Sequence, residues 1–164
     1  MERAATGLGL AAVILGLGFT AFNVYWALGF RDWLDTVFPA ADLPGLAQTL
    51  TLPLQWLAIV AKTFAALLGL AAVPAVAGRL DRRLKIGLRS LAWAAAVAIV
   101  AWGVSQSAWF WLVKLGQASM AGWTRRAVNG HAYVWDPWFL LWGVALLVAL
   151  LLSRSSETPV RTRE

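Results

Sequence analysis

Residues 53–77 read PLQWLAIVAKTFAALLGLAAVPAVA, a long apolar run in which Lys62 is the only charged residue. A helix needs about 20 apolar residues to cross a hydrocarbon core of about 30 Å. Proline suits the first turn of a helix, where its missing N–H has no partner to lose, and Thr51 can serve as the N-cap. We therefore predict a transmembrane helix over residues 53–77, with a kink in its last turns at Pro74.

Three further apolar runs predict transmembrane helices over about residues 7–28, 88–113 and 137–153. The last begins at Asp136 and Pro137, a capping residue followed by a proline suited to the first turn. At about 17 residues, or roughly 25 Å, it is near the minimum length that crosses a bilayer. The pattern predicts an all-α fold, a polytopic four-transmembrane-helix bundle forming a single domain over residues 1–154, with a disordered tail at residues 155–164.

The composition is typical of a membrane protein and excludes several kinds of metal site. Apolar residues make up 60% and charged residues 13% of the 164-residue chain, against about 45–50% and about 25% in soluble domains. A chain of this size leaves much of its surface exposed, so this apolar excess requires lipid. The sequence has no cysteine, which excludes thiolate-bound metals, and its single histidine, His131, excludes a paired-histidine site within one chain. We predict no metal site and no cofactor.

The lysines and arginines predict the orientation, because these residues are enriched in cytoplasmic loops. Nine lie in the N-terminus, the second loop and the tail: Arg3, Arg79, Arg82, Arg83, Lys85, Arg89, Arg154, Arg161 and Arg163. Four lie in the first and third loops: Arg31, Lys114, Arg125 and Arg126. We therefore predict a multi-pass plasma-membrane protein with both termini in the cytoplasm. The net charge of +6 follows from this topology and from attraction to membrane lipids, and no nucleic-acid partner is expected.

Tryptophan is concentrated on the predicted outer side. Eight of the eleven tryptophans fall at or beyond the outer ends of the spans: Trp26, Trp33, Trp56, Trp109, Trp111, Trp123, Trp135 and Trp138. They form either an aromatic belt or the lining of an apolar, outward-facing cavity. Residues 29–52 carry Trp33, Leu34, Val37 and Phe38 on one helical side, which predicts a short interfacial helix. That loop and the third loop, residues 115–135, either cap the bundle or lie in the headgroups.

Lys62 is the most informative polar residue, because it lies about 13–14 Å beyond Pro53 at ~1.5 Å per residue. A lysine near the centre of a span costs about 2.5–3.5 kcal/mol to insert, and such residues face the bundle interior and find partners. Its helix face carries small residues, which also favours an inward position. The candidate ligand-binding residues in the same half of the bundle are Lys62, Asn23, Gln106, Asp136, Tyr133 and Trp109.

Each of these residues also has a structural interpretation. Lys62 can be a structural lysine bonded to Asn23 or Gln106, and Asp136 can be a helix cap. His131 falls in a predicted polar loop with no neighbour at metal-ligand spacing, and we expect no chemical role for it. The small residues Ala12, Gly16 and Thr20, and likewise Ala61, Ala65 and Gly69, can pack helices within one chain or between two copies.

Three functions remain open at this point. The first is binding of a lipid or apolar small molecule in an outward-facing, tryptophan-lined pocket, with Lys62 at its anionic or carbonyl group. The second is a membrane enzyme acting on a lipid or isoprenoid, with Lys62 or Asp136 transferring a proton. The third is an accessory subunit or homo-oligomer that assembles through the small-residue stripes. No nucleophile elbow, phosphate loop or zinc-binding helix occurs in the sequence.

The end of the first span reads NVYWALG over residues 23–29, and an amphipathic loop and three more spans follow. With the Asp136–Pro137 pair near the last span, this pattern resembles the DUF3995 family of small bacterial four-helix membrane proteins. The chain differs from the family pattern at Asn23 and Phe30, where histidine and glycine are commoner. The resemblance implies the fold and a membrane location, and it assigns no activity and no functional residue.

Overall fold

The computed structural model describes residues 1–39, 42 and 53–155, and these residues contain helices and turns but no strand. The first long helix is α1 (Glu2–Ala27). The second is α2 (Pro53–Leu67), which continues as a 3₁₀ segment (Leu68–Ala72) before the short α3 (Pro74–Ala77). The third is α4 (Arg82–Lys114). The fourth begins as α5 (Arg125–Gly130), passes through a π-helical turn (His131–Trp135) and ends as α6 (Asp136–Ser155).

The all-helical fold is confirmed, with four helices long and apolar enough to cross a membrane. They cover Glu2–Ala27, Gln55–Ala72, Arg82–Lys114 and Arg125–Arg154, with lengths of 26, 18, 33 and 30 residues. The first and third begin earlier than the sequence pattern predicts, at Glu2 and Arg82. The proposed N-cap Thr51 and the tail residues 156–164 lie outside the described residues.

The fourth helix differs most from the prediction, because it begins at Arg125 instead of Asp136. The Thr124 hydroxyl caps this start by accepting a hydrogen bond from the Ala127 N–H at 3.1 Å. Asp136 has helical dihedrals (φ −76°, ψ −39°) and therefore lies inside a continuous helix, not at a cap. Pro137 lacks an N–H and its ring crowds the carbonyl one turn earlier, and the widened π turn before it accommodates that ring.

The second helix also ends differently. Its last turn is a 3₁₀ segment, and Val73 is extended (φ −85°, ψ 112°). Proline disfavours helical dihedrals in the residue before it, so Pro74 starts a separate short helix where a kink was predicted.

The predicted interfacial helix of the first loop is a single 3₁₀ turn at Leu34–Thr36. Leu34 is buried, whereas Trp33 is 54% exposed, so the two do not share one buried face. The turn packs on α5 and on the π turn, because Thr36 accepts a hydrogen bond from the Trp135 indole at 3.0 Å. Gly130 is helical, and a Cβ on it would clash with the Thr36 carbonyl oxygen.

Small residues let the helices approach closely in the core. A Cβ on Gly69 would lie 2.7 Å from the Gly9 carbonyl oxygen, so no larger residue fits at that crossing. Ala12, Gly16 and Thr20 are all buried within the chain, and the Trp142 ring packs beside Gly16. This stripe therefore packs helices of one chain together.

The start of α1 and the end of α6 meet at one end of the bundle, where Glu2 and Ser153 line the same small cleft. We call this the Arg154 end. The end of α1 and the start of the fourth helix form the opposite end, where aromatic side chains cluster around Trp26 and Trp135. We call this the Trp26 end.

Candidate functional site

A cavity of about 500 Å³ opens between the helices in the half of the bundle nearer the Trp26 end. All four long helices contribute to it, and one residue comes from the first loop. The lining residues are Phe19, Asn23, Trp26, Val37, Lys62, Ala98, Ile99, Trp102, His131, Trp135, Asp136 and Phe139. Apolar and aromatic walls with a few convergent polar groups are typical of a small-molecule site, and the volume is in the usual range of about 300–1,000 Å³.

The first polar group in the cavity is the pair formed by Lys62 on α2 and Asn23 on α1. The Lys62 ammonium donates a hydrogen bond to Asn23 Oδ1 at 2.7 Å. Asn23 Nδ2 donates to the Phe19 carbonyl one turn earlier at 2.9 Å, which fixes the amide with its oxygen toward the lysine. Lys62 Nζ also lies 5.4 Å from the centre of the Phe19 ring, in cation–π contact.

Lys62 keeps hydrogen-bonding capacity after these contacts. An ammonium has three N–H donors, and one of them serves Asn23. Within the described residues no carboxylate forms an ion pair with Lys62. The half-buried ammonium can therefore donate to an acceptor placed in the cavity.

The second polar group is a hydrogen-bonded chain through His131. Its Nδ1 lies 3.1 and 3.2 Å from the two carboxylate oxygens of Asp136, and its Nε2 lies 2.9 Å from the Val37 carbonyl oxygen. The side chains of His131 and Asp136 are 16% and 4% exposed. The pair thus ties the first loop to the fourth helix inside a wall of the cavity.

The partners of His131 hold the ring at both nitrogens. A carbonyl oxygen only accepts, so the imidazole donates to Val37 through Nε2. Nδ1 faces the Asp136 carboxyl group, so hydrogen bonds fix the ring from two sides.

The π turn makes this pair possible. Residues five apart on an α-helix project about 140° from each other at 3.6 residues per turn, so His131 and Asp136 would not meet on a regular helix. The wider π turn (His131–Trp135) brings them onto one face, and such turns are frequent at functional sites. The imidazole is also held by stacking on Phe110, with ring centres 4.2 Å apart.

The structure brings three of the six predicted site residues to the cavity: Lys62, Asn23 and Asp136. The other three do not line it. Trp109 is 45% exposed and donates its indole N–H to Met120 Sδ at 3.2 Å. Tyr133 is 55% exposed with the Lys114 ammonium 4.6 Å from its ring centre. Gln106 is half-buried on α4.

His131 lines the cavity although the sequence does not indicate it as a candidate. Asp136 and Pro137 predict a helix start, and that start leaves His131 in a polar loop. A helix continuing back to Arg125 puts the imidazole in the bundle wall instead. The only sequence signal is the proline, since a helix running through Pro137 needs a widened turn close to His131.

The tryptophans predicted on the outer side occupy two kinds of position in the structure. Trp26 and Trp135 line the cavity together with Trp102. Trp33, Trp56, Trp109 and Trp111 are between 41% and 54% exposed on the outside of the bundle. Some of these tryptophans therefore line the cavity, and others lie on the outer surface of the helix bundle.

Among the described residues, no three His, Asp or Glu side chains come together at metal-binding spacing. Comparison with known proteins found no matching family model, curated protein or solved structure, so the resemblance to the DUF3995 family stays a prediction.

Proposed function

We propose that this chain is a multi-pass plasma-membrane protein with both termini in the cytoplasm. Its four long apolar helices expose large side chains such as Ile14, Val60 and Leu141, at 70%, 63% and 61% of their full area. So many exposed large apolar side chains on helices of this length are suited to contact with lipid. Arginines gather at the Arg154 end, which supports a cytoplasmic position for that end and a position in the outer half of the membrane for the cavity.

The function that the geometry supports best is binding of an apolar molecule in the cavity described above. The main support is the position of Lys62, whose ammonium lies in a largely apolar, aromatic cavity. Among the described residues, its hydrogen-bond partner is the side-chain amide oxygen of Asn23. Such a lysine is costly within a membrane, and its cost is offset when a ligand supplies an acceptor. Homo-oligomer formation remains compatible with this function.

The polar groups of the cavity indicate the class of ligand. Lys62 forms no ion pair with a carboxylate among the described residues, so its ammonium is available to balance the charge of a ligand. An amphiphile with a single carboxylate or another single anionic head, or one with a strongly polarised carbonyl, matches this charge. Its apolar body would contact the rings of Phe19, Trp102 and Phe139.

Native mass spectrometry of the full chain in mild detergent tests this function. The wild type is expected to retain a discrete small molecule, and Lys62→Met is expected to lose it. Loss of a hydrogen bond from a charged donor weakens binding about tenfold or more. Lys114→Met is a matched control, because Lys114 also donates to an asparagine oxygen, Asn129 Oδ1 at 2.6 Å, but lies outside the cavity.

A second variant keeps the test valid if Lys62→Met folds poorly. Ala98→Trp adds a large ring to the cavity wall without touching the polar pairs, and it should also expel the retained molecule. Ala108→Trp, at an exposed position of α4, is its control. If the wild type retains nothing, or if both cavity variants keep the bound mass of the wild type, the cavity does not bind a ligand.

A specific observation favours a second candidate function, proton transfer to or from a substrate in the cavity. His131 and Asp136 are hydrogen-bonded to each other in the cavity wall, and Lys62 provides another exchangeable proton in the same cavity. Positioned groups of these types are the usual general acids and bases. The substrate would be a lipid or isoprenoid that enters from the membrane.

A further inference from the structure

A second, chemically different pocket lies at the Arg154 end, between the start of α4 and the end of α6. Its volume is about 370 Å³. Four cationic side chains line it, together with one hydroxyl and two apolar groups: Arg82, Lys85, Arg89, Arg154, Ser90, Ile86 and Trp93. The cavity that contains Lys62 shares no lining residue with it.

Two contacts give this pocket a defined shape. The Arg154 guanidinium lies over the Trp93 ring, 4.3 Å from the ring centre. Arg89 donates a hydrogen bond from Nη2 to Ser153 Oγ at 2.9 Å, which links α4 to α6. Arginine stacked on an aromatic ring keeps the edge of its guanidinium available for planar, bidentate recognition.

Two cationic side chains of this pocket have no carboxylate partner among the described residues. Within the described part of the chain, neither Arg82 nor Arg154 forms an ion pair with a carboxylate. Two described acids lie near the pocket. Asp81 caps α4 by accepting hydrogen bonds from the Arg83 and Leu84 N–H groups at 2.9 and 3.0 Å, and Glu2 lines a neighbouring cleft with Lys85 and Arg89. The indole N–H of Trp93 is buried and has no acceptor among the described residues.

We propose that this pocket binds the phosphate of an anionic phospholipid headgroup. A phosphate diester supplies the oxygens that match the guanidinium forks, and basic pockets between helices at the cytoplasmic side are suited to such headgroups. A lipid is favoured over free phosphate because Ile86, which also lines the pocket, is 56% exposed and offers an apolar surface beside the charges. The proposal shares the membrane placement of the proposed function and is independent of the Lys62 cavity.

Lipid titration of the full chain in mild non-ionic detergent, followed by native mass spectrometry, tests this site. The probes are phosphatidylglycerol, phosphatidylcholine and inorganic phosphate. Phosphatidylcholine has the same phosphate diester but adds a quaternary ammonium, which the four cationic side chains repel. Phosphatidylglycerol is therefore expected to bind about tenfold or more tightly than phosphatidylcholine. The double variant Arg82→Gln/Arg154→Gln should lose this preference. Both residues are exposed, so the variant should fold, and thermal unfolding in the same detergent checks that it does.

The control is Arg79→Gln, which removes an exposed charge at the same end but outside the pocket. It should change the preference less than about twofold, as expected for a screened surface charge. An equal loss in this control would show a general charge effect and overturn the site. Displacement of phosphatidylglycerol by inorganic phosphate at equal concentration would make free phosphate the occupant and overturn the lipid assignment. Because the Lys62 cavity can also accept a singly anionic lipid, the titration is repeated in the Lys62→Met background. The double variant should lose the same share of the preference in both backgrounds, so this proposal and the proposed function fail separately.

Discussion

Replacing His131 by phenylalanine removes the only described hydrogen-bond partner of the Asp136 side chain. Asp136 is 3% exposed, so water cannot replace the lost partner without opening the bundle. Phenylalanine has a somewhat larger ring than histidine and can keep the stack on Phe110. The substitution therefore removes the polar link and keeps an aromatic ring at this position.

The structure sets the expected size of the effect. Removing one partner of a buried hydrogen-bonded pair costs about 1–3 kcal/mol, and more for a charged group, because the other partner is left unsatisfied. Asp136→Asn keeps an amide that can still hydrogen-bond to His131 Nδ1, and it should cost less, about 1 kcal/mol. The double variant should be less unstable than the sum of the two single variants, with a coupling of about 2 kcal/mol.

The assay is equilibrium unfolding in mixed detergent for the wild type, both single variants and the double variant. The matched control is the exposed pair Arg126–Asp35, at 2.9 Å with side chains 67% and 42% exposed. Asp35→Asn should change the free energy of unfolding by only about 0–1 kcal/mol. The reasoning is refuted if His131→Phe costs no more than this control, or if the two single effects at His131 and Asp136 simply add.

Two further predictions follow from the helix packing and from the second candidate function. An added Cβ in Gly103→Ala would lie 2.8 Å from the Leu140 backbone nitrogen, so this variant should lose about 1–3 kcal/mol. In Gly87→Ala the added Cβ has no atom within 4 Å, so this variant should gain up to about 1 kcal/mol of stability. Equal thermal midpoints for the two variants would contradict the close packing at Gly103. If the cavity is catalytic, cells with Asp136→Asn should show an altered membrane-lipid profile, and cells with the control Asp35→Asn should not. An unchanged profile with a folded Asp136→Asn protein would exclude Asp136 as a proton-transfer residue.

Much of the fold could be predicted from the sequence because it depends on local composition. A run of about 20 apolar residues satisfies its own backbone only as a helix in lipid, so the number of long helices follows from hydropathy. The position of Lys62 among small residues likewise predicts that it faces the interior, where it meets Asn23. Both conclusions depend on residues within one helix or on the cost of leaving a charge without a partner.

The helix boundaries, and the set of residues that line the cavity, could be determined only from the tertiary structure. Asp136 and Pro137 have the local character of a helix start, yet packing against the first loop keeps the chain helical back to Arg125. That continuation moves His131 into the cavity wall, while Gln106 stays outside it. Which side chains share a cavity depends on how four helices are rotated and crossed, and close approaches such as Gly69 on Gly9 set that geometry. A pattern within one helix carries no record of that arrangement, so the Lys62–Asn23 contact could be predicted and the His131–Asp136 pair could not.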